Sequence, residues 1–210
     1  ERANFLKVAL GLTLLLFIIF EKKIYKKFIS IFIILFISLS FVYFNDSYKL
    51  RFYNQISIVF EKNGIDKYLK SSEYGAHYDA AVNIFKNYKL FGVGIKNFRK
   101  ESSNPIYYNP EYEFTFNRSK THPHQIHFEI LSETGLFGYS MFLFFIISSI
   151  FFSVKEYLEN RNIYQLSAII FILMSLIPYL PSGSFFSTFN SSLFWLNYAI
   201  MVGYCNKAKF

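Results

Sequence analysis

Five long blocks of apolar side chains, each close to the thickness of a bilayer core, constrain this chain more than any other feature. They cover residues 5–20, 28–44, 136–154, 164–180 and 185–204, and Phe, Ile and Leu fill them with hardly a charge between. A helix needs roughly 17–25 such residues to cross the hydrocarbon layer. Within that layer a helix also satisfies its own backbone amides and carbonyls. The pattern predicts an all-α integral membrane protein with five transmembrane helices. Hydrophobic residues at 53% and aromatics at 22% agree, because they are gathered into blocks rather than alternating with polar faces.

Charge placement orients the spans. Lys22, Lys23, Lys26 and Lys27 crowd the short link between the first two blocks, which marks that link as cytoplasmic. Alternation then puts residues 45–134 outside, 155–161 inside, 181–184 outside and the tail inside, where Lys207 and Lys209 agree. Three regions follow: two spans in 1–44, a long periplasmic loop in 45–135, and three spans with a short tail in 136–210. The net charge of +8 does not point to nucleic acid, since the basic residues form no stripe interleaved with stacking aromatics. The first residue is Glu1, so the chain is expected to start inside a longer protein. The first block lacks the basic n-region and the small-residue cleavage site of a secretory signal, so no signal peptide is expected. Cys205 is the single cysteine, which excludes an intrachain disulfide and a multi-cysteine zinc site.

The outer segment is too long for an idle connector. Tyr74, Tyr78, Ala81, Phe85 and Tyr88 recur at steps of four and three, predicting one face of a helix that ends by Asn87 and Lys89. Residues 90–94, with Gly92 and Gly94, read as a tight apolar turn. Residues 102–118 read as an irregular flap, and 126–131 as a helix running into the third span.

Three of the four histidines fall within Thr121-His122-Pro123-His124-Gln125-Ile126-His127. Histidine exchanges a proton near neutral pH, so this cluster is the candidate for chemistry at the membrane face. Pro123 is expected to fix the turn that presents His124. His122 and His127 read as hydrogen-bonded residues of the interface. Glu129 and Glu133 lie one helical turn apart; they read as solvated carboxylates, with an acid/base pair as the alternative. Lys96, Arg99 and Lys100 form a basic cluster. No G-x-x-x-x-G-K-[ST] loop occurs.

His124-Gln125, nine residues, Gly135, two residues and Gly138 form a pattern, H-Q-x9-G-x-x-G, that resembles the signature of the O-antigen ligase and polymerase superfamily. The words Asn83-Ile84-Phe85-Lys86, Phe91-Gly92-Val93-Gly94 and Asn97-Phe98-Arg99 ahead of it resemble that family too. So do Leu131 to Gly138, Glu1-Arg2-Ala3-Asn4 and Pro181-Ser182-Gly183-Ser184-Phe185-Phe186. The resemblance implies a protein of the bacterial inner membrane and a metal-independent glycosyltransferase without cofactor. Its donor would be an undecaprenyl-diphosphate-linked glycan. Its acceptor would be lipid A–core, for a ligase, or a second lipid-linked glycan, for a polymerase. By the same resemblance His124 activates the acceptor hydroxyl and Arg2 binds the diphosphate. Gln125 would contact sugar or diphosphate. The family's second arginine falls near 74–78, where this chain has Tyr74-Gly75-Ala76-His77-Tyr78, so His77, Arg99 or Lys96 would take that part.

Two readings of other classes compete. His122-x-His124-x-x-His127 has the spacing of a zinc hydrolase motif, with Ile126 where an aspartate would stand. Alternatively, the serines and asparagines in and before the last block line a transporter's pathway, although the spans hold almost no charge.

Overall fold

The computed structural model describes residues 2–20, 23–46, 49, 53 and 57–205; the side chains of Arg2, Ser38 and Phe41 lie outside the described residues, as do Lys207 and Lys209. The described residues contain helices and turns without a strand. In chain order the helices are α1 (Arg2–Ile19), α2 (Ile24–Tyr43), α3 (Gly64–Lys70), α4 (Glu73–Asn87), α5 (Phe98–Ser102), α6 (Ile126–Asn160), α7 (Ile163–Ser175) and α8 (Thr188–Gly203), with 3-10 turns at Pro105–Tyr107 and Thr115–Asn117.

Each apolar block is helical, but two boundaries differ from expectation. The fourth block stops at Ser175, not at residue 180. Pro178 disfavours helical geometry at the residue before it, and Tyr179 adopts a φ of 62°. The fifth helix starts at Thr188 rather than 185, because Ser187 caps it by accepting from the Asn190 amide. The loop 176–187 is itself rich in apolar residues, which hid it inside two apparent spans.

α6 is one helix in outline and two in substance. It begins at Ile126, ten residues before the third block, and breaks at Gly135, whose φ of 67° and ψ of −169° are non-helical. The break removes the bonds that Leu136 and Phe137 would give to Ser132 and Glu133. The 89–94 turn supplies all four missing partners. Leu136 N donates to Lys89 O at 2.7 Å and Phe137 N to Leu90 O at 3.2 Å, while Ser132 O accepts from Val93 N at 3.1 Å and Glu133 O from Gly94 N at 2.8 Å. Leaving such groups buried and unpaired would cost about 1–3 kcal/mol each. The approach is so close that a Cβ on Gly92 would stand 2.4 Å from the Glu133 carbonyl carbon, and one on Gly135 2.4 Å from Leu90 O. Only glycine fits at either position.

Two apolar cores result. Ile146, Leu166, Ile169, Ile172, Phe194 and Met201 join α6, α7 and α8, with Leu15 and Ile18 of α1 packed against them. Ala80, Ala81, Ile84, Phe98 and Tyr107 form the second, under Val93 and Phe128. The buried face of α4 is Ala76, His77, Ala80, Ala81 and Ile84 with Tyr78. Tyr74 and Tyr88, expected on that face, are exposed. Small alanines let α4 lie close to α6, which turns the bulky tyrosines to the rim. Tyr78 and Phe128 stack at 4.7 Å and tie α4 to the start of α6.

Outside these cores the long helices carry a largely apolar surface. α6 is long and apolar enough to cross a membrane, and only 11% of its apolar window is buried. α2 packs on α1 and exposes Phe28, Phe32, Phe36 and Leu39 by more than 60% each. Apolar surface on this scale calls for a non-aqueous neighbour.

Candidate active site

The histidine segment crosses between the N-terminal end of α6 and the loop 176–187. His124 takes a φ of 57°, in the left-handed region that non-glycine residues rarely enter. Its carbonyl accepts from Ser182 N at 2.7 Å. Gln125 then starts α6. Its Oε1 accepts from the His127 and Phe128 amides at 2.7 and 3.1 Å, and its Nε2 donates to Ile177 O at 3.4 Å. With 1% of its surface exposed, Gln125 serves as a helix cap and loop staple. Its side-chain amide thus meets the protein's own backbone on both sides.

α4 brings His77 to the same place from the far side. The His77 and His124 ring centroids are 5.2 Å apart, and His122 and His124 are 4.2 Å apart. Tyr74 stands edge-on to His124 at 5.8 Å. His77 Nε2 lies 3.1 Å from Asn117 O, so a neutral ring donates there and leaves Nδ1 as an acceptor. Nδ1 is buried without a hydrogen-bond partner, as is His122 Nε2. Burial pushes His77 down to about 4, with the charge of His124 the second cause and the bond to Asn117 opposing. Burial and then His124 likewise push His122 down to about 4. Both rings are therefore neutral near pH 7, and His77 supplies no positive charge for a diphosphate.

His127 does not join them. Its Nε2 is 2.7 Å from Leu176 O and its Nδ1 3.1 Å from the Tyr139 hydroxyl, which ties α6 to the end of α7. The three-histidine zinc arrangement thus loses one ligand to the helix bundle. Among the described residues no group of three or more His, Cys, Asp or Glu converges as a metal would require.

Glu129 and Glu133 are not solvated, as their spacing alone suggested. Glu129 is 2% and Glu133 1% exposed. Glu129 accepts from the Ser184 hydroxyl at 2.5 Å and from Phe185 N at 2.7 Å. Glu133 accepts from Lys96 N at 2.6 Å and Phe98 N at 3.2 Å. One carboxylate fastens the 181–186 loop to α6, the other the start of α5. Hydrogen bonds to buried backbone amides suit such latches, because those amides would otherwise be left unpaired. The acidic spacing hinted at a common face, but nothing local named the amides that fill it.

The candidate cations are spread around the cluster. Arg99 is exposed on α5, and its carbonyl accepts from the Ser119 hydroxyl at 3.2 Å, next to the segment leading to His122. Arg2 opens α1. That helix reaches the site through Lys7, whose Nζ donates to Pro181 O at 3.0 Å. Gly135 forms the helix break, and a Cβ on Gly138 would collide with Thr134 at 2.5 Å. The buried Arg118 was not singled out in the sequence. Its guanidinium donates to the carbonyls of Thr115, Ser103 and Asn104, which closes the 102–118 flap.

A family model described as O-antigen ligase matches residues 1–143. That range holds Arg2, His77, Arg99 and the whole pattern from His124 to Gly138. No curated protein and no solved structure matches the chain.

Proposed function

The chain belongs to the O-antigen ligase family, and from that premise we propose that it transfers a glycan from an undecaprenyl-diphosphate carrier to a hydroxyl of lipid A–core. The family implies an enzyme of the ligase and polymerase type, acting in a membrane on lipid-linked glycans. The observation that carries the reading further is the convergence of His77, His122 and Tyr74 on His124. A non-glycine residue held at positive φ in such a cluster is the kind of local strain that accompanies a working site.

In this reading the acceptor hydroxyl lies against the His124 imidazole. Its oxygen attacks C1 of the donor sugar and its proton passes to the ring. The new C1–O bond forms as the bond from C1 to the diphosphate breaks, and the lipid diphosphate leaves with the electron pair. Negative charge grows on the leaving group, where the guanidinium of Arg2 receives it through a fork of donors. Arg99 takes the second cationic position, because His77 is buried and neutral. His77 and His122 set the ring of His124, and Gln125 sets its backbone. No step draws on a metal or cofactor. Five spans carry this machinery, with residues 45–134 on the periplasmic side of the inner membrane. The lysines of the 21–27 link support that orientation, and the apolar exposure of α2 and α6 supports their place in a bilayer.

The test is His124→Ala in the complete gene, followed by electrophoresis of the surface glycan. The expected result is loss of long-chain glycan at normal protein abundance. An unchanged ladder would overturn the assignment. Free polymer left on its lipid carrier marks the ligase, whereas capping with a single repeat unit marks the polymerase.

A further inference from the structure

The turn between α4 and α5 carries an apolar patch that the proposed transfer does not use. Leu90, Phe91 and Ile95 belong to neither core. Each is more than half exposed, and so are Leu136 and Phe137 on α6. The Phe91 and Phe137 rings stand 6.1 Å apart, so the two groups form one surface. A contiguous apolar patch of this kind marks a place where something other than water is met.

The break in α6 fixes the level of the turn. Leu136 N donates to Lys89 O at 2.7 Å and Phe137 N to Leu90 O at 3.2 Å. The turn is thereby tied to the point where the uncharged stretch of α6 begins. That helix is long and apolar enough to cross a membrane, and no charged residue occurs between Glu133 and Lys155. The hydrocarbon boundary then falls close to residue 136, and the turn lies at the same depth.

Charge around the patch has one sign. The stretch 86–100 holds Lys86, Lys89, Lys96, Arg99 and Lys100 and no acid. All five are exposed, and among the described residues none forms an ion pair. Tyr88, also exposed, has the amphipathic ring that suits the boundary between lipid and water. Apolar tips among unpaired cations match the headgroup and upper acyl region of a leaflet rich in anionic phospholipid. From this arrangement we infer that residues 88–96 are an interfacial anchor, which dips into the leaflet at the N-terminal end of the uncharged stretch of α6 and gathers anionic lipid around itself. A second copy of the chain would cover the apolar side chains equally well. The ring of cations without an acid favours an anionic surface, and continuity with the exposed face of α6 favours lipid. The inference stands apart from the transfer reading and holds for either direction of crossing.

The experiment places a reporter at the tip of the turn in the whole protein, held in nanodiscs. Trp195, the single tryptophan, is replaced by phenylalanine, and Phe91→Trp is added; the Trp195→Phe protein alone is the blank. Lipids brominated high on the acyl chain are expected to quench this reporter at least about threefold more than Phe116→Trp, which sits in the exposed flap. Ile95→Trp, on the other arm of the turn, is expected to behave like Phe91→Trp, so the reading does not depend on one variant folding. In equal parts of phosphatidylglycerol and phosphatidylcholine, bromine on the anionic lipid is expected to quench about twice as strongly as bromine on the neutral one. That preference should vanish when Lys86→Gln, Lys89→Gln and Lys100→Gln are combined. Quenching of both turn reporters no stronger than that of Phe116→Trp would overturn the anchor and leave the patch to a protein partner. Equal quenching by the two lipids, or a preference that survives the triple change, would overturn the anionic partner.

Discussion

At the scale of single residues, the site is three imidazoles with unequal duties. In the proposed reading His124 meets the acceptor, while His77 and His122 are kept neutral by burial, at about 4. A histidine whose pKa falls on folding binds its proton more readily in the unfolded chain, so it costs stability as pH drops below about 6.5 and down through 4. Above about 6.5 it is neutral in both states and costs nothing. For His77 the cost reaches on the order of 3 kcal/mol by pH 4. Besides His124, the charges that bear on it are Lys120, which adds to the lowering, and Glu73, which opposes it. His77→Asn, which keeps a small polar group but cannot titrate, is therefore expected to flatten the loss of thermal stability between pH 7 and pH 4. A variant with the same acid slope as the native protein would show that His77 is not held neutral. His124 was singled out in the sequence through its spacing to Gly135 and Gly138. Its partner His77 lies 47 positions away, and only the fold shows that the two rings meet.

At the scale of elements, the seam between the 89–94 turn and the break in α6 organises the site. Four backbone bonds cross it, and two glycines make it possible. Gly92→Ala or Gly135→Ala would force a Cβ into backbone atoms at a positive φ. Each is expected to cost at least about 2 kcal/mol and to lower the unfolding temperature in detergent, with activity lost in parallel. Gln125→Ala removes a helix cap and is expected to cost about 1 kcal/mol. The same change should lower kcat rather than raise KM, because the residue steadies His124 without touching substrate. A change confined to KM would instead return Gln125 to the substrate. The glycines were visible as a motif, but their reason was not. A pattern shows that Gly135 and Gly92 occur, whereas the steric demand exists only where the two backbones touch.

At the scale of the whole molecule, the arrangement needs the histidine cluster on the outer side of the bilayer. With Cys205 replaced by serine, Phe116→Cys in the exposed 3-10 turn is expected to react with a membrane-impermeant maleimide added to intact cells stripped of their outer membrane. Lys155→Cys at the inner end of α6 is expected to react only after the inner membrane is opened. The reverse pattern would remove the site from its substrates. The apolar blocks located the long helices in advance, because hydrophobic length is a property of the chain itself and needs no partner to be read. They also placed the long segment between the second and third helices, and the periodicity of α4. Other features came only from the tertiary structure: the helix break stitched by a distant turn, the two buried carboxylates that latch loops, the neutrality of His77, and the bond from Lys7 to Pro181 O. Each depends on which backbone atoms and charges meet across tens of residues. Burial and hydrogen bonding are properties of that meeting, and no single stretch of sequence contains them.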